Sequence, residues 1–139
     1  MTSKIWKGQS FCVSHADGSG TTDNGFSGGL RAFFEYRDLG INTASEGKYS
    51  ANVIRAVPGR HAQSNWHIHD LDFQMIYILK GWVTFEYEDH GEITFRSGSS
   101  ALQPPGIRHR EIRHSDDLEL IEITSPAEFK TESVDAPKY

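Results

Sequence analysis

The feature that most constrains this chain is a succession of short apolar segments, separated by turns that contain glycine or proline, with no long stretch of 3.6-residue periodicity. Such segments are typical of β-strands, and turns such as VPGR and PPGI supply the residues that reverse a chain. Strands this short leave exposed edges unless the sheet closes on itself. The pattern therefore predicts an all-β barrel or two-sheet jelly roll. The predicted strands are 30–36, 49–57, 66–69, 73–79, 82–88, 93–95, 100–103, 109–112 and 118–124.

Length and charge limit the classes of function that the chain can have. The 139 residues are enough for one domain with a hydrophobic core, so we expect a single domain over 1–139. The net charge of −5, from 14 basic and 19 acidic residues, offers no basic stripe for phosphates and argues against a membrane surface. We therefore expect neither nucleic acid nor membrane as a partner.

Targeting and redox features are also absent from the sequence. It contains no run of about 18 apolar residues, and 1–10 lack the apolar core of a secretory signal. The single cysteine, Cys12, cannot form an internal disulfide, which fits a reducing compartment. The expected localisation is cytoplasmic.

Two segments do not fit the strand pattern. Residues 17–29, DGSGTTDNGFSGG, hold five glycines among small polar residues and predict a mobile loop, interpreted as a connector in preference to a lid. The C-terminal SPAEFKTESVDAPKY reads as a tail that packs over the barrel or over a neighbouring subunit.

The chemistry of the chain centres on a pair of histidines in SNWHIHDLDFQ. Because side chains alternate along a strand, His67 and His69 share one face and Ile68 lies on the other. Two imidazoles then point in the same direction, as a metal site requires. The pair alone is a weak signal, since a solvated strand face explains it equally well.

Two blocks of glycines, proline and histidines give this pair its context. The first block, 59–81, contains Gly59, His67, His69, Gln74 and Gly81, and the second block, 98–113, contains Gly98, Pro104, Gly106 and His109. In residue type and spacing these blocks resemble the two motifs of the cupin superfamily. The resemblance implies a double-stranded β-helix, or jelly-roll barrel, in which His67, His69 and His109 bind a divalent metal.

The sequence departs from the cupin pattern at three points. Gln74 stands at the position of the family's glutamate, Arg113 stands where the second motif often has asparagine, and the gap from Gly59 to His67 is slightly long. The amide oxygen of Gln74 is either a weak fourth ligand or a group that orients a water or substrate beside the metal. Without the carboxylate, the metal keeps its double charge and favours an anionic or chelating substrate.

Three neutral imidazoles suit Fe, Mn, Ni, Zn or Cu and leave coordination positions open, which is the mark of a catalytic site. A cupin that binds no metal is the alternative. The predicted cofactor is one divalent transition metal.

Charged residues on two strands are candidate substrate ligands. Alternation from His109 places Glu111 and Arg113 on the inner face, where they either form an ion pair at the barrel rim or let Arg113 bind a substrate carboxylate. Arg55, in one phase with Val53, is a weaker candidate of the same kind.

Alternation from Gln74 places Ile76 and Ile78 on its own face and Met75, Tyr77 and Leu79 on the other. Ile76 and Ile78 are therefore predicted to form the wall of a partly apolar substrate cavity.

The predicted function is that of a metal-dependent enzyme acting on a small organic molecule, with Gln74 supporting catalysis. We favour a dioxygenase-type reaction. The alternatives are a non-oxidative lyase, isomerase or cyclase and a non-catalytic cupin that binds a small molecule or metal. The resemblance also implies an oligomer, and aromatic residues around the first motif make a homodimer reasonable.

Overall fold

Antiparallel strands make up nearly all the regular structure in the computed structural model, which describes residues 4–16, 25–28, 31–61 and 63–138. A helix of four residues, α1, is the only other regular element of that part of the chain. The elements are β1 (Ile5–Trp6), β2 (Gln9–Ser10), β3 (Ser27–Gly28), β4 (Phe34–Asp38), α1 (Ile41–Ala44), β5 (Ser50–Ala56), β6 (His67–Asp70), β7 (Phe73–Lys80), β8 (Trp82–Tyr87), β9 (Gly91–Arg96), β10 (Ser100–Leu102), β11 (His109–His114), β12 (Glu119–Ser125) and β13 (Lys130–Ser133).

Two sheets form the body of the fold. One has six strands in the order β10-β7-β12-β5-β4-β3, and the other has five in the order β13-β6-β11-β8-β9. Strands distant in sequence become neighbours, as in a jelly roll, and β1 pairs with β2 in a separate ribbon. The predicted all-β class is confirmed, and β4–β12 match the nine predicted strands with shifts of a few residues at their ends.

The hydrophobic core lies between the sheets because alternate residues of each strand face inward. On β7 this face carries Gln74, Ile76 and Ile78, and all three are buried, as predicted. Tyr77 and Leu79, on the opposite face, are each 42% exposed. The core residues are Phe33, Phe34, Ile54, Ala56, Ile76, Ile78, Val83, Tyr87, Phe95, Leu118 and Leu120.

The predicted loop 17–29 and the C-terminal tail, which did not fit the strand pattern, both contribute short strands to the fold. Residues 17–24 and 29 of the predicted mobile loop lie outside the described residues, whereas Ser27–Gly28 form β3 on the edge of the six-stranded sheet, beside β4. The C-terminal tail is more ordered than its polar sequence indicates. It adds β13 to the five-stranded sheet, where Thr131 lies opposite His69 of β6.

A β-bulge in β11 overturns one orientation predicted by simple alternation. The register with β8 shifts between Glu111 and Arg113, because Glu111 lies opposite Phe85 while Arg113 lies opposite the next residue, Thr84. One extra residue in a strand reverses the faces of the residues that follow it. Glu111 is therefore buried as predicted, but Ile112 is buried too and Arg113 is exposed.

The outer face of the six-stranded sheet is covered in part by the N-terminal segment. Arg37 of β4 donates a 2.8 Å hydrogen bond to Ser14 Oγ, and the Cys12 thiol lies 3.6 Å from the Leu39 carbonyl oxygen. No helix in the described ranges is long and apolar enough to cross a membrane.

Candidate metal centre

The predicted histidines meet in the cavity between the sheets. His67 and His69 share the inner face of β6, and the antiparallel pairing of β6 with β11 places His109 directly opposite His67. The ring centroids of His67 and His109 are 4.3 Å apart, and each lies within 5.0 Å of the His69 ring centroid. One nitrogen from each of the three rings lies within 4.8 Å of the others, which is close enough to bind a shared ion.

Each imidazole is oriented through its Nδ1 atom. The Nδ1 of His67 donates to the Asn65 carbonyl at 2.6 Å, and that of His109 donates to the Ile107 carbonyl at 2.9 Å. The Nδ1 of His69 is 2.8 Å from Thr131 Oγ1, a hydroxyl that can accept the same hydrogen. Because a carbonyl only accepts, the hydrogen of a neutral ring sits on Nδ1 and the Nε2 lone pair remains for a metal. This donor set fits a divalent transition metal.

Burial keeps all three rings neutral and therefore able to ligate. It lowers the pKa of His69 to about 3, with further lowering by the charges of His109 and His67. Burial likewise lowers the pKa of His109 to about 4 and, in direction, that of His67, although the bonds to the Ile107 and Asn65 carbonyls oppose both shifts. A proton competes with a metal for imidazole, so a lowered pKa favours metal binding at neutral pH.

The cavity beside the histidines has a volume of about 490 Å³, which is in the usual range for a small-molecule site. Ile76 lines it as predicted, whereas Ile78 packs in the core cluster and does not reach it. The lining is mixed, with apolar residues from several strands and few charged groups. Its charged members are Arg31, Glu111 and Glu122.

Gln74 also lines the cavity, where its amide is bonded to a carboxylate that the sequence analysis missed. Its Nε2 donates a 3.1 Å hydrogen bond to Glu122 Oε2 on the neighbouring strand β12. Burial raises the pKa of Glu122, and the bond from Gln74 opposes this shift. Glu122 therefore brings a carboxyl to the cavity from β12, although it is not part of the group of three histidines.

Arg31 and Tyr36 complete this side of the cavity. The Arg31 guanidinium Nη2 lies 3.3 Å from Nδ1 and 3.4 Å from Nε2 of His67. Burial raises the pKa of Tyr36 to about 12, helped by the charge of Glu122, while a hydrogen bond from the Arg31 backbone and the Arg31 charge act in the opposite direction. Tyr36 thus lies close enough to respond to both charges.

Comparison with known proteins identifies the family. The sequence model of the cupin domain matches residues 53–124, which is more than half of the chain and includes all three histidines. The chain belongs to the cupin family. No curated protein sequence matches this cupin.

Several solved structures of differently named proteins share this fold. KdgF from a Halomonas species aligns with a TM-score of 0.59 and 18% identity, over 73% of this cupin and 87% of that chain. A DMSP lyase structure aligns with a TM-score of 0.62 and 13% identity, over 79% and 62% of the two chains. A sugar phosphate isomerase from Silicibacter pomeroyi aligns with a TM-score of 0.55 and 22% identity, over 75% and 67%. The cupin also matches oxalate decarboxylases, of which it spans a third or less.

Neither arginine predicted from the sequence reaches the cavity of this cupin. The bulge turns Arg113 outward, where it lies 3.1 Å from Glu92 with 56% of its side chain exposed. Arg55 lies on the outer face of β5 and pairs with Glu35 at 2.8 Å. The prediction for Arg55 was wrong because Val53, which shares its face of β5, lies on an outer face that is also apolar. The predicted ion pair between Glu111 and Arg113 does not form.

Glu111 instead pairs with a buried histidine of the cupin core. The Nδ1 of His114 lies 2.8 Å from Glu111 Oε1, and the ring of His114 packs against Phe33 and Phe34. The Glu111 backbone N–H donates to Ser64 Oγ at 2.7 Å. This pair lies toward the C-terminal end of β11, whereas His109, at the first position of the strand, reaches the cavity.

Proposed function

We propose that this cupin is a metal-dependent enzyme that acts on a small organic molecule bound beside His67, His69 and His109. The observation that carries the proposal is that the Nδ1 atom of each histidine is engaged while all three rings line one cavity and bring one nitrogen each within 4.8 Å of the others. A divalent Fe, Mn, Ni, Zn or Cu ion bound there would supply a Lewis acid for an oxygen of the substrate. The three histidines would hold it through rings that are fixed by their hydrogen bonds.

Within this class, Glu122 favours a non-oxidative lyase, isomerase or cyclase over the dioxygenase that the sequence analysis favoured. Glu122 lines the same cavity as the three histidines, and burial raises its pKa, so that it holds a proton more readily than an ordinary carboxyl. Its Oε2 accepts a hydrogen bond from Gln74. Gln74 therefore holds the carboxyl in place, and Glu122 moves a proton to or from the substrate.

The dioxygenase remains the second candidate because the same three histidines leave coordination positions open for oxygen as well as substrate. The two reactions differ in whether they need oxygen. A non-oxidative enzyme turns over at the same rate in anaerobic buffer, whereas a dioxygenase consumes oxygen in proportion to product. An oxygen electrode and anaerobic assays with the same substrate distinguish them.

Metal analysis tests the proposal without a known substrate. We expect the purified protein to bind about one equivalent of a transition metal and the variants His67→Ala and His109→Ala to lose it. His90→Ala, which changes an exposed histidine, is the matched control and should retain the metal. Equal trace metal in all four proteins would exclude the metal site. Normal metal binding without turnover on any small organic acid, alcohol or carbonyl compound would favour the non-catalytic alternative.

A further inference from the structure

Arg31 is the cation best placed to meet a substrate in this cavity. Among the described residues that line the cavity, it is the sole arginine or lysine. It lies just before β4, and its guanidinium Nη2 lies 3.3 Å from Nδ1 and 3.4 Å from Nε2 of the His67 ring. Because a guanidinium stays charged at any accessible pH, Arg31 places a permanent positive charge beside the three histidines.

The contact with His67 does not satisfy this charge. The Nδ1 of His67 already donates to Asn65, so that only the Nε2 lone pair can accept from Arg31, and at 3.4 Å that bond is long. A metal at Nε2 takes the same lone pair. The guanidinium then has donors available for another acceptor in the cavity.

Three other arginines of the chain are neutralised by a neighbouring glutamate, whereas Arg31 has no such partner among the described residues. Arg55, Arg110 and Arg113 each pair with a glutamate. Within the described ranges, no carboxylate lies within 4.0 Å of the Arg31 guanidinium. A partly buried cation without a counter-ion is a favourable site for an anion, and the planar fork of arginine suits a carboxylate.

We propose that Arg31 binds the carboxylate of the substrate, so that the natural substrate is a small carboxylic acid oriented beside the three histidines. This inference rests on the proposed function and names its substrate class. Arg31 takes the role that the sequence analysis gave to Arg113 and Arg55. With Glu122 and Tyr36 on the adjoining wall, it fixes which end of the acid faces the metal and which end faces the proton carrier.

Calorimetric titration of the zinc-loaded protein with lactate and with lactamide tests the proposal. The two probes share a hydroxyl and a carbonyl and differ in the negative charge. Because a hydrogen bond to a charged group contributes about 1.5–3 kcal/mol, we expect lactate to bind roughly ten- to hundred-fold more tightly than lactamide. Arg31→Met should reduce that preference to the part that the zinc ion alone supplies, and Arg31→Lys, which keeps the charge but not the fork, should reduce it less. Arg113→Met, at the exposed arginine, is the control and should bind both probes as the wild type does.

The zinc content of every variant is measured in parallel, so that failure of the metal site is detected separately from failure of the arginine. Wild-type protein that retains zinc but binds lactate no better than lactamide would overturn the role of Arg31. So would Arg31→Met protein that retains the preference in full, or the lack of any lactate binding at the highest concentration titrated.

Discussion

At the scale of single residues, a hydrogen bond between an amide and a carboxylate on neighbouring strands distinguishes this cavity. The amide of Gln74 on β7 is bonded to the carboxyl of Glu122 on β12, and both residues line the cavity beside the three histidines. A metal held by the histidines alone would have three neutral ligands, with Glu122 outside the ligand set. On the proposed function, this arrangement leaves Glu122 available for proton transfer.

Replacing Gln74 with glutamate should place two carboxylates side by side and destabilise the folded protein. We expect Gln74→Glu to lower the free energy of unfolding by about 2 kcal/mol at pH 8, because it replaces a hydrogen bond to a carboxylate with repulsion. The folded pair retains a proton that the unfolded chain releases above its ordinary glutamate pKa. The loss of stability therefore grows as pH rises and is small near pH 5.

Urea unfolding of the metal-free protein at pH 5 and pH 8 measures this effect. The double variant Gln74→Glu/Glu122→Gln is the control, since it rebuilds an amide–carboxylate pair with its partners exchanged and should recover most of the stability. A Gln74→Glu variant that is equally destabilised at both pH values would contradict the repulsion argument.

At the scale of elements, the turn between β7 and β8 shows why one motif glycine is required. Gly81 has φ +73°, and a Cβ built there would meet Ser115, Asp117 and the Cα of Leu118, the last at 3.0 Å. Gly91 has the same φ of +73° but no atom within 4 Å of such a Cβ. Comparing alanine substitutions at the two glycines therefore separates the effect of backbone strain from that of steric contact.

We expect Gly91→Ala to cost about 1 kcal/mol of stability, from the left-handed backbone alone. Gly81→Ala should cost at least about 1–3 kcal/mol more, because the Leu118 backbone cannot move aside as a flexible side chain would. Denaturant midpoints of the two variants make the comparison. Equal losses would show that packing around Gly81 relaxes.

The exposed outer face of β7 and β10 is a second element-scale feature, and we propose that a second copy of the chain packs there. Leu102 is 63% exposed, Tyr77 and Leu79 are each 42% exposed, and Phe73 is 39% exposed. The pairing of β10 with β7 brings these side chains onto one surface. Exposed apolar patches of this kind mark interfaces between proteins.

Light scattering should accordingly give twice the 15.6 kDa mass of the chain. Tyr77→Lys combined with Leu102→Lys should give the single-chain mass, because burying two charges opposes association. Phe11→Lys alters an exposed aromatic residue outside this patch and should leave the mass unchanged. A wild-type monomer at micromolar concentration would rule the interface out.

At this scale, the sequence predicted which segments form strands better than it predicted which way their side chains face. Two-residue alternation and turn spacing were enough to predict the strands and to place His67 and His69 on one face, whereas the resemblance to the cupin motifs was needed to add His109. Alternation failed at Arg113, because a bulge leaves no mark in the sequence. It was ambiguous on β12, where Ile121 and Ile123 make the face opposite Glu122 apolar too. Arg31 falls within the predicted strand 30–36, but β4 begins only at Phe34, so alternation could not predict that Arg31 reaches His67.

At the scale of the whole molecule, the buried histidines link stability to pH. The unfolded chain protonates its histidines near pH 6.5, whereas His69 and His109 in the folded protein do so only near pH 3 and 4. Between these values the unfolded state binds more protons. Stability therefore falls as pH decreases from about 6.5, with a slope of up to about 1.4 kcal/mol per pH unit for each buried histidine.

Urea unfolding at pH 7, 6 and 5 in the presence of a chelator measures the slope. His109→Gln should flatten it, because glutamine has no proton to gain, and replacing the exposed His90 with glutamine should leave it unchanged. A slope that does not respond to His109→Gln would mean that other groups control acid stability.

The bond between His69 and Thr131 sets an order of events during synthesis. These residues are 62 positions apart, and β13, which carries Thr131, pairs with β6 at the edge of the sheet. At roughly 5–20 residues per second, a ribosome delivers the partner of this ring about 3–12 s after the ring itself. Until then His67 and His69 are present without that bond, so that the three-histidine cluster cannot reach the geometry of the finished protein.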